Sequence, residues 1–214
     1  MIAKEGWLFL IPLILITFPL GIVAHSLNHS VLLILYYILG FSTLFLIYFF
    51  RDPLRKLPDD LNSFVSPADG KIISVKSLED DDIGQTSYEI SIYLNLLSVH
   101  VVRSPFQGVV KSVERKKGRF IPAFEHNASD VNETNTIVIK SQNCKYKIRQ
   151  VAGLIARRII CYAKINQDIQ KGSRLGFIRF GSRVDIIVSS DVNIIAKEGD
   201  RVLGGKTVIA ELRS

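Results

Sequence analysis

Two long uncharged apolar runs, followed by a succession of short β-branched segments, predict a mainly β protein. The expected form is a barrel-like or sandwich domain preceded by an N-terminal two-helix transmembrane hairpin. Three observations lead there. Residues 7–24 (WLFLIPLILITFPLGIVA) and 31–50 (VLLILYYILGFSTLFLIYFF) carry no charged side chain. After residue 70 the chain reads as valine- and isoleucine-rich runs punctuated by Gly, Asn, Asp and Pro. Few windows in that part suit a long helix.

The first two elements are expected to cross a bilayer. As α-helices, each would extend roughly 27–30 Å at ~1.5 Å per residue, close to one hydrocarbon thickness. A signal peptide would show one shorter apolar region and a small-residue cleavage site, whereas here a second run begins six residues after the first. A buried core hairpin would show polar faces. Pro12 and Pro19 are potential kinks of a kind that lipid-embedded helices tolerate. Lys4 precedes the first run, and Arg51, Arg55 and Lys56 follow the second, while the connecting HSLNHS has no Lys or Arg. This bias places both ends in the cytoplasm and predicts an inner-membrane protein whose following domain faces the cytoplasm.

A linker is expected over 51–62, then a β domain over 63–214. Expected strands include 71–76, 88–94, 99–103, 108–114, 136–140, 146–151, 158–163, 177–180, 184–188 and 207–212, with a short helix over 150–158. The segments VSPADGKIISVK and VVRSPFQGVVKSVE both place Ser-Pro before a glycine and a strand, and the tail AKEGDRVLGGKTVIAEL pairs a Gly-Asp turn with a strand. Such hairpins resemble biotinyl/lipoyl modules, a likeness that speaks to fold alone.

The chain of 214 residues has a formal net charge of +7, which suits an anionic inner leaflet. Nucleic-acid binding is the competing reading of a basic chain, but no helix-turn-helix pattern, zinc spacing or stacking motif supports it. Cys144 and Cys161 form no metal or redox motif and are expected to be reduced and structural. ERKKGRF (114–120) is either a solvated charge run or a loop resting on anionic lipid.

Three residues are candidates for chemistry. Ser182 sits in RFGSRVD between two β-branched runs, with Arg183 and Asp185 just after it; a turn serine is the plain alternative. Asp69 in SPADG reads first as an Asx-turn residue. His100 in SVHVVRSP lies in a strand-like run that alternation could aim at a core or a cleft. The trio fits acid–base–nucleophile logic, but a chain of this length supplies such a set by chance.

Several segments, in order, carry a resemblance: RDPLR, SPADGKI, VHVVRSP, RQVAGLIARRI, GSRLGFIRFGSRVD and EGDRVLGGKTVIAEL. The chain resembles phosphatidylserine decarboxylase proenzymes of the short, membrane-hairpin type, within the pyruvoyl-dependent decarboxylases. The resemblance implies a lyase of phospholipid biosynthesis that turns phosphatidylserine into phosphatidylethanolamine. It implies autocatalytic serinolysis between Gly181 and Ser182, giving a β chain 1–181 and an α chain 182–214. Ser182 would become the covalent pyruvoyl group (pyruvate), the only cofactor, forming a Schiff base with the substrate; no metal is implied. The two pieces would remain together as a heterodimer, open to further oligomerisation.

The same resemblance assigns Asp69 to self-processing and His100 to the substrate, as a proton donor. Longer bacterial members have a second histidine where this chain has Arg103. Either His100 serves both steps, or self-cleavage relies on backbone strain and Asp69. Arg103, Arg157 and Arg158 are candidates for binding substrate. NET at 132–134 departs at Thr134 from the triplet common in the family, which puts a role for that site in doubt. Two other classes remain to be weighed: a membrane-anchored biotinyl-like adaptor or carrier without catalysis, and a membrane serine peptidase using Ser182 with His100.

Overall fold

The computed structural model describes residues 1–125, 127–154, 158–179 and 182–213. The chain divides into two compact units, Met1–Leu54 and Arg55–Ser214.

The first unit is an apolar helical hairpin, α1 (Lys4–Leu27) and α2 (Ser30–Phe49), with mean hydropathy 2.4 and 2.3. Each is long and apolar enough to cross a membrane. α1 continues unbroken past Pro12 and Pro19, and the Thr17 hydroxyl donates to the Leu13 carbonyl at 2.7 Å. Asn28, at φ 42°, ends α1 in the left-handed conformation that short amide side chains tolerate. Gly21 lies so close to the Tyr36 ring that an added Cβ would sit 2.6 Å from Cε2. At the open end, the Ala3 amide donates to the Phe50 carbonyl (2.7 Å) and the Asp52 amide to the Met1 carbonyl (2.7 Å).

The second unit is mainly β, built on a curled half-barrel sheet. Its elements in chain order are β1 (Ser63–Val65), β2 (Gly70–Asp80), β3 (Gly84–Leu94), β4 (Val101–Arg103) and β5 (Gly108–Lys116). Then come the single-turn α3 (Ala128–Val131), β6 (Thr134–Lys140), β7 (Lys145–Val151), β8 (Ile159–Cys161), β9 (Asp168–Ile169) and β10 (Arg174–Ile178). The last are β11 (Ser182–Ser189), β12 (Val192–Ile194), β13 (Arg201–Val202) and β14 (Val208–Leu212). The eight-stranded sheet runs β13-β2-β3-β11-β7-β6-β5-β9; two three-stranded sheets run β1-β14-β12 and β4-β10-β8.

Alternation along the long strands sorts their two faces. Ile90, Ile92 and Leu94 of β3, Ile148 of β7, and Val184, Ile186 and Val188 of β11 all enter one core. Phe64 stacks on Phe106 at 4.5 Å and meets Tyr146 edge-on at 5.7 Å. The Tyr146 hydroxyl donates to the Phe106 carbonyl at 2.6 Å, which satisfies the polar end of a fully buried ring. Burial raises the Tyr146 pKa, and it pushes the Cys144 thiol up to about 11, with the Asp191 charge adding to the effect.

Two local expectations meet a different outcome. Gln150 and Val151 close β7 rather than opening a helix, because their backbone groups pair with β6 and β11; residues 155–157 of that window lie outside the described residues. His100 stands just before β4, not inside it. The Asn95 side chain accepts from the Leu97 amide (2.9 Å) and the Ser98 hydroxyl (3.2 Å), and this Asx turn delays the strand to Val101.

Candidate active site

Ser182 opens β11, where its backbone is paired with Leu94 of β3; pairing with β7 begins one residue later, at Arg183 opposite Val151. Alternation puts Ser182 on the face of Val184 and Ile186, toward the core. The residue is fully buried, and its hydroxyl has no hydrogen-bond partner among the described residues. Leaving a buried polar group unmatched costs about 1–3 kcal/mol, so such a group calls for a reason beyond packing.

The chain arrives at Ser182 from β10, which belongs to the sheet β4-β10-β8, while β11 belongs to the eight-stranded sheet. Phe180 and Gly181, including the Gly181 side of the expected cleavage position, lie outside the described residues. The approach is tied down: the Ile178 amide donates to the His100 carbonyl at 3.2 Å, and the Arg179 amide to the Arg158 carbonyl at 3.5 Å.

His100 is fully buried, with its ring 6.4 Å from that of Phe177 on β10. It thus lies beside the strand that leads into Ser182. Gly176 of the same strand has no room for a side chain: a Cβ there would meet the Ile160 carbonyl and lie 2.5 Å from Gln150 Nε2.

Asp69 belongs to a separate cluster. Its carboxylate takes both Arg55 terminal nitrogens, Nη1 on Oδ1 and Nη2 on Oδ2 (2.7 Å), and accepts the Gly204 amide at 2.8 Å. Arg55 also donates to the Gly204 carbonyl at 2.7 Å. The 66–69 turn is further pinned where the Arg103 amide donates to the Pro67 carbonyl (2.8 Å) and the Gly205 amide to the Ser66 carbonyl (2.8 Å). The Arg103 guanidinium donates to the Gly172 carbonyl at 3.1 Å. Burial lowers the Arg103 pKa and the Arg55 charge lowers it further, while Asp69 pulls the other way. Two cations thus attend one carboxylate, and Asp69 is engaged with Arg55 and Gly204 rather than with Ser182 or His100. Arg158 is exposed, and Arg157 lies outside the described residues.

On the opposite face of β11, a buried charge network starts one residue after Ser182. Arg183 Nε donates to Asp185 Oδ1 at 2.5 Å, and its Nη2 donates to the Ser91 hydroxyl at 2.7 Å and to Glu89 Oε1 at 3.4 Å. Ser129 of α3 donates to Asp185 Oδ2 at 2.6 Å. Lys76 and Arg149 also flank Glu89, at 3.1 and 3.6 Å. Asn132 ties the covering segment to the sheet: its amide nitrogen donates to the Ile121 and Ala152 carbonyls, both at 2.8 Å. In the sequence Arg55 counted only as part of the basic flank after the second apolar run and of the RDPLR segment, and this network was not expected. The available signal was the charged pair at positions i and i+2 of RVDIIV, which alternation places together on one face.

Known proteins carry the same arrangement of sequence. The profile of the phosphatidylserine decarboxylase family matches residues 42–210. A putative archaetidylserine decarboxylase proenzyme of Methanosarcina barkeri is 39% identical over 100% of both chains. A phosphatidylserine decarboxylase proenzyme of Wolbachia pipientis wMel is 43% identical over 80% of this chain and 77% of its own. Another, from Ehrlichia ruminantium strain Gardel, is 40% identical over 99% of this chain and 91% of its own. With the profile spanning most of the chain and relatives aligned almost end to end, this β-rich protein is a decarboxylase of the phosphatidylserine decarboxylase family.

Proposed function

We propose that this chain is a self-processing proenzyme that becomes a pyruvoyl-dependent decarboxylase of phosphatidylserine, releasing carbon dioxide and phosphatidylethanolamine at a membrane surface. One observation supports this reading above the others: the Ser182 hydroxyl is buried, without a hydrogen-bond partner among the described residues, at the point where the chain changes sheets.

Ser182 Oγ attacks the carbonyl carbon of Gly181 and displaces the Ser182 nitrogen, so an ester replaces the amide. Loss of the Ser182 α-proton expels the Gly181 carboxylate and cuts the chain. Hydrolytic loss of ammonia then leaves a ketone at position 182. Glycine before the serine leaves the carbonyl open to attack. A buried hydroxyl without a hydrogen-bond partner among the described residues fits this conversion, since no bond to them needs to be broken before it attacks. When formed, the pyruvoyl group supplies an electron-withdrawing carbonyl system that takes up the electron pair freed as carbon dioxide leaves.

The remaining roles belong to residues of the chain itself. His100, beside the strand leading to Ser182, supplies the proton that replaces the lost carboxylate at the substrate α-carbon. Asp69 is a positioning carboxylate: it locks Arg55 and the Gly204 turn and faces Arg103, three residues beyond His100. Arg103 and Arg158 offer cationic contacts for the phosphodiester, with Arg157 assigned to the same task. The relative from M. barkeri is named for archaetidylserine; a serine phosphodiester headgroup is common to both lipids, so recognition rests on that headgroup rather than on the chains. The helical hairpin keeps the site at the bilayer, with the catalytic unit on the cytoplasmic side of the inner membrane. The cut pieces 1–181 and 182–214 remain associated.

An intact-mass measurement before and after borohydride treatment tests this reading. Two fragments are expected, divided between Gly181 and Ser182, with the smaller gaining two hydrogens as its ketone is reduced to an alcohol; Ser182→Ala should remain one inactive chain. A single uncut chain that still decarboxylates phosphatidylserine would overturn the proposal. An intact chain labelled at Ser182 by a serine-directed phosphonate would favour the peptidase.

A further inference from the structure

One end of the eight-stranded sheet differs from the rest of the second unit's surface. Tyr93, Arg183, Val151, Thr134 and Lys116 form one row across β3, β11, β7, β6 and β5. At about 4.8 Å between strands, the row is roughly 19 Å wide. Ser182 lies next to it. The described parts of three connections adjoin this row: 95–100, 117–125 with 127–133, and 152–154 with 158.

Each connection holds a large apolar side chain out toward solvent: Leu96 and Leu97 at 40% and 59% exposure, Phe124 at 55%, and Leu154 at 58%. Phe124 meets the Tyr93 ring edge-on at 5.9 Å, which ties its loop to the end of β3. Exposed Lys116, Lys117, Arg119 and Arg158 stand among these tips, against exposed Glu125 and Asp130, so the balance is cationic. The opposite end of the sheet is unlike this. Its connections 81–83, 141–144 and 190–191 carry no exposed large apolar side chain among the described residues. The first of them adjoins exposed Glu79 and holds exposed Asp81 and Asp82. Elsewhere in this unit, Leu61, Ile165, Ile195 and Leu203 are exposed singly, in separate turns.

We propose that the Ser182 end of the sheet is a membrane-docking surface, with Leu96, Leu97, Phe124 and Leu154 inserting into an anionic bilayer and Lys116, Lys117, Arg119 and Arg158 engaging its headgroups. Separate apolar tips interspersed with cations are the pattern of an interfacial contact. A bilayer is within reach because the same chain carries two helices of membrane-crossing length. Docking at this end brings headgroups to the edge from which Ser182 starts β11, and it adds a contact that the helical hairpin does not provide.

Trp7 is the only tryptophan, so single reporters are straightforward. Phe124→Trp, Leu154→Trp and Asp81→Trp are made separately in a Trp7→Phe background. The full chain is reconstituted into vesicles of phosphatidylcholine and phosphatidylglycerol in equal parts, with or without bromine on the acyl chains. Emission from Phe124→Trp and Leu154→Trp is expected to shift to the blue, to be quenched by the brominated lipid, and to resist acrylamide. Asp81→Trp should behave in the opposite way on all three counts. Replacing phosphatidylglycerol with phosphatidylcholine should weaken bromine quenching at both loop reporters. The proposal is overturned if both loop reporters respond only to acrylamide, like the reporter at 81. It is equally overturned if they are shielded from acrylamide and untouched by bromine, which would indicate a protein partner. No phosphatidylserine is present, so the outcome does not depend on decarboxylation, and the uncut Ser182→Ala chain carrying the same reporters should respond in the same way.

Discussion

Ser182 and Arg183 are neighbours on β11 and both are buried, yet their polar atoms are treated in opposite ways. The serine hydroxyl faces the core without a partner among the described residues, whereas the arginine fork is occupied by Asp185, Ser91 and Glu89. Alternation separates the two by placing them on opposite faces of the same strand. On the proposed reading of Ser182 as the nucleophile, the difference teaches how a reactive atom is held without being consumed. Ser182 is positioned by its backbone, through the β3 ladder and the network behind it, so its hydroxyl is not needed to hold the local structure. Positioning rests with neighbours on rigid elements, which would leave the lone pairs of the proposed nucleophile available.

The sharpest way to break this comparison is to remove the hydroxyl. Ser182→Ala is expected to abolish both self-cleavage and turnover and to leave one uncut, folded chain, because the hydroxyl that disappears makes no hydrogen bond among the described residues. Gel analysis alongside circular dichroism checks this, and a chain that fails to fold would make the hydroxyl a structural group after all. The next largest effect is expected on the other face. Made in the uncut Ser182→Ala background, Asp185→Ala strands Arg183 without its closest acceptor in a dry site and should cost about 3–5 kcal/mol in urea denaturation. If that variant is as stable as the parent, the network does not hold β11.

Arg55→Ala sharpens the comparison at the second cluster. Asp69 would keep only the Gly204 amide, for a loss of about 2 kcal/mol, and self-cleavage should slow measurably by gel time course. Arg55→Lys should recover little, since an ammonium cannot span both carboxylate oxygens. The smallest effect belongs to Asp80, far along the sheet from Ser182. Burial opposes its ionisation, but hydrogen bonding to Lys147, the Lys147 charge and the backbone amides of Asp82 and Ile83 outweigh this, and its pKa falls below the ordinary 3.8. A lowered carboxylate stabilises the fold fully above its unfolded value, and that stabilisation is lost as pH drops through the lower folded value. Asp80→Asn should therefore flatten the acid limb of a stability–pH curve and leave self-cleavage untouched; altered cleavage would mean the two ends of the sheet are coupled.

The parts of the fold legible in sequence were those written in local pattern. Uncharged runs declared the two helices, and β-branched runs declared β2, β3, β5, β6, β7, β11 and β14. The two-residue β9 and β13 were not legible, because their pairing is set by distant partners rather than by their own residues. The same division holds at the candidate site. Ser182 stood out by its Gly-Ser context and family likeness. Asp69 was legible as a turn residue, but its pair with Arg55 joins the linker to the SPADG loop. The partners of Arg183, Glu89 and Ser91, come from a strand more than ninety positions earlier, a distance no local pattern reaches.

β11 lies between β3 and β7, and β12 and β14 complete a sheet with β1. A break just before Ser182 would leave the shorter piece stitched through the middle of the longer one, held on both flanks by strands that precede the break. Each molecule would then have a single opportunity to thread that strand, while its peptide is still continuous. Heat or denaturant would scatter two strangers, with no shared tether to lead them back, so the durability of the mature enzyme would be a matter of how slowly it comes apart.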